Sequence, residues 1–365
     1  MNILHLDTRP DWRGGQQQIL LTIRGLRARG HAVELAALRD SPLCDRAGRE
    51  GFTVHPIPRT FLRANLAREI RRWLGEELFE IVHAHDPHAL TAAWLAGAHR
   101  RAALVAARRV AYPLSRSAVG LARYRAAHSI IAVSRYVAES VVAAGIAASR
   151  VAVVYDGVEI PERTTPEMSA RSRARWKIGE DEPLLGCVGY LLPEKGQEIL
   201  IRALPLIRQR SPRAKLFLAG DGPCRPALEK LARDSGISHA VIFAGFLDDV
   251  AEAYRAFYLF LFPSLDEPLG SSLLSAMSYE LPAVAVASGG VPEIISNGRD
   301  GILVSAAARP EDFAAAAISL LENRAEAARL GMAARATISA RFTADRLVEE
   351  TLSEYRNALA HANRA

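Results

Sequence analysis

Glu267 is the residue around which chemistry is most easily arranged. It lies in Phe262-Pro263-Ser264-Leu265-Asp266-Glu267-Pro268-Leu269-Gly270-Ser271-Ser272, after the apolar, aromatic run 258–262. That run suits a buried parallel strand. Pro263 stops it, and Pro268-Leu269-Gly270 shapes a tight loop. Ser271 and Ser272 are good helix starters whose amides are left to face an anion. Glu267 is therefore predicted at the carboxyl end of a strand beside a helix N-terminus, where open α/β sheets place their ligands. Three further groups have the same setting. Lys195 follows the apolar run 184–188 and precedes Gly196. Gly14-Gly15 follows a first strand, Asn2 to Asp7, where glycines allow close backbone approach. His85 and Asp86 end the segment Ile81-Val82-His83-Ala84-His85-Asp86-Pro87-His88, read here as a strand ending in histidines. His83 and His85 share one strand face by the period of two. No third or fourth ligand is evident, so no zinc site is expected. Arg108 and Arg109 close another strand, 102–107, and suit phosphate or an acidic ligand.

The elements that would carry these groups alternate. Strand 2–7, a glycine turn, a helix from about Gln16 to Arg29 and strand 32–38 make a βαβ unit. Ile19, Leu20, Ile23 and Leu26 fall on one face of that helix. Residues 61–74 form an amphipathic helix with Leu62, Leu66, Ile70, Trp73 and Leu74 as its stripe. Arg116, Arg123 and Arg125 belong to a basic connector, and Ser134 caps a further helix. Residues 161–182 are polar, charged and bounded by prolines, as a linker would be. Later strands are read at 215–220, 241–247 and 282–287. An Ala-rich helix is expected over 310–340 and a last helix from Phe342 to about Ala362.

A chain of 365 residues, half of them hydrophobic, suits two domains, each with its own core. Cys44, Cys187 and Cys224 are odd in number and far apart, which implies neither a disulfide framework nor metal spacing. The N-terminus reads as a strand rather than a signal peptide, and no apolar run reaches the length of a spanning helix. A cytoplasmic protein is expected. Residues 1–160 hold 22 arginines, no lysine and 14 acidic residues, a net +8, whereas the remainder is −2. A basic first half favours anionic partners and allows peripheral contact with the inner face of a membrane. Nothing basic and aromatic-rich suggests a nucleic-acid platform, so none is expected as partner. The absence of Gly-x-Gly-x-x-Gly and of a Walker lysine argues against dinucleotide oxidoreductases and P-loop NTPases.

The segment from Pro263 to Met277 resembles the donor-site signature of glycosyltransferase family 4, the large retaining family with the GT-B fold. The match runs through Glu267, Gly270, Leu274, Ala276 and Met277. Val188-Gly189-Tyr190-Leu191-Leu192-Pro193-Glu194-Lys195-Gly196, Val151 to Val158, Asp221-Gly222-Pro223 and Ser288 to Glu293 also resemble family segments. The likeness covers nearly the whole chain and is strongest over 184–304. Two positions depart from the family. Its second glutamate falls on Ser275, and an arginine falls on Tyr190.

The resemblance implies an α/β chain of two Rossmann-like domains with parallel sheets facing across a cleft. Residues 1–160, with a C-terminal helix at about 343–365, would bind the acceptor, and 161–342 the donor. The donor would be a nucleotide-diphosphate sugar and the acceptor a glycan or a lipid-linked molecule of cell-surface polysaccharide or lipopolysaccharide synthesis. Glu267, Lys195 and His85 would be catalytic. Lys195 would neutralise charge on the leaving phosphate. Gly14, Gly15, Tyr190, Asp221, Gly245, Phe246, Leu269, Gly270, Ser271 and Ser275 would join them at the donor, and His85, Asp86, Arg108 and Arg109 at the acceptor. No metal and no cofactor is expected. Two other readings stay open: a non-catalytic GT-B protein whose donor site has degenerated, and a nucleotide-sugar epimerase of the same fold.

Overall fold

The computed structural model describes residues 1–60, 63–114, 117–307 and 309–363. Phe61, Leu62, Ser115 and Arg116, and with them one end of the apolar stripe and part of the basic connector, lie outside the described residues. The chain divides into two compact units, 1–157 with 344–365, and 158–343.

In chain order the first unit begins β1 (Asn2–Asp7), α1 (Gly14–Ala28), β2 (Ala32–Leu38), α2 (Pro42–Arg49), β3 (Thr53–Ile57), α3 (Arg63–Glu76), β4 (Ile81–Ala84), α4 (Pro87–Leu95), β5 (Ala103–Arg108), α5 (Ala118–Arg125), β6 (Ser129–Ala132), α6 (Arg135–Ala143) and β7 (Val151–Val153). The second continues with α7 (Pro166–Arg175), β8 (Leu184–Val188), α8 (Gln197–Arg210), β9 (Lys215–Ala219), α9 (Arg225–Asp234), β10 (Val241–Gly245), α10 (Ala251–Ala256), β11 (Leu259–Phe262), α11 (Ser271–Ser278), β12 (Ala283–Val286), β13 (Ile302–Val304), α12 (Pro310–Glu322) and α13 (Arg324–Arg341). The last helix, α14 (Ala344–Ala362), returns to the first unit.

Both sheets are parallel. Their strand orders are β3-β2-β1-β4-β5-β6-β7 and β10-β9-β8-β11-β12-β13. The chain therefore winds outward in one direction from β1 and β8, and in the other from β4 and β11. Between β1 and β4, and between β8 and β11, the direction reverses. Loops leaving the carboxyl ends of those strands diverge there and leave room for a ligand. Glu267 follows β11, Lys195 follows β8, and His85 follows β4.

Strands β4, β5, β6, β11 and β12 are buried along their whole length, which suits the wholly apolar sequences of β11 and β12 and leaves His83, Arg108 and Ser129 as the polar residues of the other three. Helix α1 buries Ile19, Leu20, Ile23 and Leu26, and each contributes ~1.5–3 kcal/mol relative to exposure. On its other side α1 meets α14. A Cβ on Gly25 would lie 2.4 Å from a Val348 methyl, so the two helices touch through a glycine.

Some sequence expectations are corrected. Strand β4 stops at Ala84, and Asp86 is instead the N-cap of α4, its carboxylate accepting from the His88 and Ala89 amides. Pro87 at the first helical position makes that switch favourable. The linker at 161–182 contains α7, capped by Thr165. The Ala-rich stretch is two helices, because Asn323 ends α12 and its side chain caps α13. Among the described residues, no helix is long and apolar enough to cross a membrane.

Candidate active site

In the second unit the two charged groups meet. The Lys195 ammonium donates to Glu267 Oε2 at 2.6 Å, and Ser264 Oγ donates to the same oxygen at 2.7 Å. Glycines permit the approach. Gly196, at φ 68°, would place a Cβ 2.2 Å from the Pro263 carbonyl, so the Lys195 loop lies directly against the loop that carries Glu267. Gly289, at φ 55°, would place a Cβ 2.0 Å from the Glu267 carbonyl. The Gly290 amide donates to that carbonyl at 2.9 Å. Only glycine fits these contacts without moving the backbone. Glu267 is thus buried and clamped, with Lys195 half-buried beside it.

Around the pair, Gly270 is the N-cap of α11 and provides no side-chain cap; Ser271 is its first residue. No acidic residue occupies that first turn, so the helix end presents uncompensated positive potential. Leu269 is buried, and a ligand would meet it through its backbone. The exposed Asp221 accepts from the Gly222 amide at 2.8 Å. Gly245, at φ 72°, accepts from the Gly220 amide at 2.8 Å, and Phe246 beside it is exposed. Tyr190 is exposed too, with its carbonyl held by Gln197 at 3.2 Å. Ser275 differs from the rest. Its hydroxyl donates to the Ser271 carbonyl at 3.1 Å. It serves the helix rather than offering an oxygen outward.

In the first unit the ladder pairs His5 on β1 with His83 on β4. That register puts a third imidazole beside the two of the His-x-His segment. The sequence reading found only two, because a cross-strand neighbour is invisible without the register. The nitrogens of His5, His83 and His85 lie within 4.8 Å of one another. His5 Nδ1 and His85 Nε2 are 2.8 Å apart, and His83 Nδ1 bonds the Tyr355 hydroxyl of α14 at 2.7 Å. Burial, then the nearby Arg109, pushes the His5 pKa down to about 3. His83 and His85 are also held well below their ordinary value, mainly by burial. All three are neutral at physiological pH. Three neutral imidazoles could ligate a metal, but Arg109 Nη1 points at His85 Nδ1 from 3.3 Å. A guanidinium there favours a hydrogen-bonded chain over a cation.

Asp86 is spent locally: besides capping α4, it accepts from the Thr8 amide at 2.6 Å and the Thr8 hydroxyl at 2.8 Å. Asp7, behind it, is buried, and burial together with Asp86 raises its pKa to about 8. Arg108 is only 3% exposed; it donates to the Tyr112 carbonyl and lies over the Tyr112 ring. Arg109 is the more accessible of the two. Gly14 and Gly15 open α1. A Cβ on Gly15 would meet nothing within 4 Å, so the protein's own packing does not require glycine there.

Two parallel sheets, each with polar side chains at the point where its strand order reverses, make the α/β architecture of the GT-B fold. The structure is similar to that of HepE from Anabaena, solved with UDP and glucose: the TM-score is 0.86 at 22% identity, covering 97% of this chain and 99% of that one. Residues 12–161 match the model described as Glycosyltransferase Family 4, and residues 168–337 the one described as Glycosyl transferases group 1. A GDP-mannose-dependent alpha-(1-6)-phosphatidylinositol monomannoside mannosyltransferase of Mycolicibacterium smegmatis is 31% identical over 348 residues, 89% of this chain and 90% of that protein. A D-inositol 3-phosphate glycosyltransferase of Stackebrandtia nassauensis is 28% identical, covering 96% and 88%. The chain belongs to glycosyltransferase family 4.

Proposed function

We propose that this glycosyltransferase moves a sugar, with retention of configuration, from a nucleotide-diphosphate sugar to a glycan or lipid-linked acceptor of the cell surface. The observation that carries this reading is the Lys195–Glu267 pair, 2.6 Å apart at the switch point of the second sheet. In this reading Lys195 leaves Glu267 for the donor diphosphate and offsets the charge that grows on the leaving phosphate. Glu267, freed of that partner but still held by Ser264, accepts hydrogen bonds from hydroxyls of the donor sugar. The amides of α11 add positive potential. The leaving phosphate takes the acceptor hydroxyl's proton as the new bond forms on the same face. Neutralisation rests on Lys195 and backbone dipoles, so we assign no metal or cofactor.

The relatives support the substrate classes. The Mycolicibacterium enzyme uses GDP-mannose and a phosphatidylinositol monomannoside. HepE was solved with UDP and with UDP-glucose. A Rhizobium meliloti relative, 30% identical over 188 residues, is a lipopolysaccharide core glycosyltransferase. The basic first half suits an anionic acceptor or a membrane surface, at the cytoplasmic face.

The test is thermal shift of the purified protein with UDP, GDP, ADP, CMP and dTDP, with Lys195→Ala alongside. One nucleotide stabilising only the wild type supports the reading and names the donor class for transfer assays. No shift with any of them favours the non-catalytic reading, which the inward-turned Ser275 would then explain.

A further inference from the structure

We propose that Asp156 and His85 are positioning residues that hold the Arg109 guanidinium to receive an anionic group, a phosphate, on the acceptor. This rests on the transferase reading above and goes on to name a feature of its acceptor.

Arg109 directly follows β5. Its Nε donates to Asp156 Oδ1 at 3.1 Å, and its Nη1 donates to His85 Nδ1 at 3.3 Å. The Asp156 side chain is 5% exposed and that of Arg109 14%. Two edges of the guanidinium are therefore fixed by buried groups. Its third nitrogen, Nη2, has no hydrogen-bond partner among the described residues. A fixed guanidinium with a remaining edge recognises phosphate or carboxylate at little further conformational cost. The fixing extends inward. Because His85 Nδ1 accepts from Arg109, a neutral His85 carries its proton on Nε2 and donates it to His5 Nδ1 at 2.8 Å. The imidazole is locked in one tautomer and one orientation.

His85, Arg109 and Asp156 follow the carboxyl ends of β4, β5 and β7, and His5 lies within β1 behind them. Those carboxyl ends are the ligand side of the sheet. Arg108, one residue earlier, is tied to Tyr112 within the unit, so the pair divides into a structural arginine and a receiving one. His85, with both ring nitrogens engaged, acts on a ligand through Arg109.

The experiment follows the Arg109 Nε–H resonance by NMR of protein labelled with ¹⁵N arginine, identified by its loss in Arg109→Lys. Inorganic phosphate is titrated in one arm, and phosphatidylinositol in detergent micelles in the other. The expected result is a saturable shift with phosphate whose apparent Kd rises about tenfold in Asp156→Asn, with no comparable loss of Tm. His85→Leu should weaken it as well, and His85→Asn, whose Oδ1 replaces the Nδ1 acceptor, should restore it. A tighter response to phosphatidylinositol than to phosphate assigns a lipid source; an equal or weaker one assigns a soluble phosphate. No response of wild type to either ligand overturns the proposal. So does a response unchanged in both Asp156→Asn and His85→Leu. Should Asp156→Asn fail to fold, the His85 pair decides alone. Nucleotide-induced thermal shift of the same samples reports on the donor reading separately, because Lys195 and Glu267 lie in the other unit.

Discussion

The ammonium of Lys195 and the carboxylate of Glu267, 72 residues apart in sequence, form a 2.6 Å ion pair between the loops that follow β8 and β11. In the proposed transfer the two groups take separate roles, and the ion pair holds both side chains in place. Lys195→Ala and Glu267→Ala should each lower transfer by about 10²–10³-fold, the usual effect of removing one group aimed at developing charge. Stability should respond differently. Lys195→Met leaves the buried Glu267 carboxylate with Ser264 alone and should lower Tm. The double variant Lys195→Met/Glu267→Gln removes the unpaired charge and should recover Tm without recovering activity. Nucleotide-release kinetics and calorimetry check both parts; near wild-type turnover in either single variant would sink the assignment.

Glycines in the two units should behave in opposite ways. A Cβ at Gly289 collides with the Glu267 carbonyl at 2.0 Å, at a positive φ. Gly289→Ala should therefore destabilise by ~1–3 kcal/mol, as overpacking does, and should shift Glu267 enough to abolish most transfer. Gly15→Ala meets nothing within 4 Å and should keep its Tm. If Gly15 is where backbone approaches the diphosphate, that variant should still lose donor affinity. Retained Tm with unchanged donor KM would remove Gly15 from the site.

Most of the fold was legible because buried parallel strands announce themselves. The continuous apolar runs at β5, β11 and β12 have one reading each. Glu267, Lys195 and the glycine loops were legible as a constellation because strand ends and glycine turns fix where ligands go. What escaped was set by contacts across the chain. His5 looks like an ordinary strand residue until the β1–β4 register sets it beside His83. Asp86 looked like a ligand group, yet it caps α4 and binds Thr8. Asp156 lies within the family-like segment Val151 to Val158 with no role of its own, and only the structure shows it paired with Arg109. Short helices such as α2 and α7 were missed because they offer few apolar residues, α2 burying only Leu43 and Ala47; their Ser41 and Thr165 caps were the available signal.

Ser275 separates sequence likeness from geometry. Its hydroxyl donates to the Ser271 carbonyl, so it has little to offer a donor. Ser275→Ala should change donor KM less than about threefold, because a locally satisfied hydroxyl is worth ~1 kcal/mol or less. Steady-state kinetics with the donor named by thermal shift would decide it. A tenfold rise in KM would show that the hydroxyl turns outward when the donor binds.

The histidine chain predicts acid sensitivity. Folded His5 titrates at about 3 instead of 6.5, chiefly through burial, and His83 and His85 are also held well below 6.5. Between pH 6.5 and about 3 the unfolded chain binds protons that the folded chain refuses, so acidification favours unfolding. Stability is retained above pH 6.5 and declines as pH falls below it. His5→Phe removes one such site. Its Tm should fall less steeply from pH 7 to pH 5 than the wild type's, whatever its value at pH 7. Parallel Tm–pH curves would show that His5 is protonated equally in both states.

Asp7 acts in the opposite direction on the same unit. Burial and the Asp86 carboxylate raise its pKa from 3.8 to about 8. Between those values the folded chain keeps a proton that the unfolded chain has released, so this group's contribution to stability falls as pH rises from about 4 to about 8. Asp7→Asn keeps an acceptor for Gln16, which lies 3.3 Å from Asp7 Oδ1, and it removes the ionisation. The variant should gain Tm relative to wild type at pH 8–9, and that gain should shrink towards pH 5, where Asp7 is protonated in the fold. A difference that stays constant from pH 5 to pH 9 would mean that Asp7 is already ionised across the range, and that Thr8 and the α4 amides draw enough charge from Asp86 to leave room for a second carboxylate.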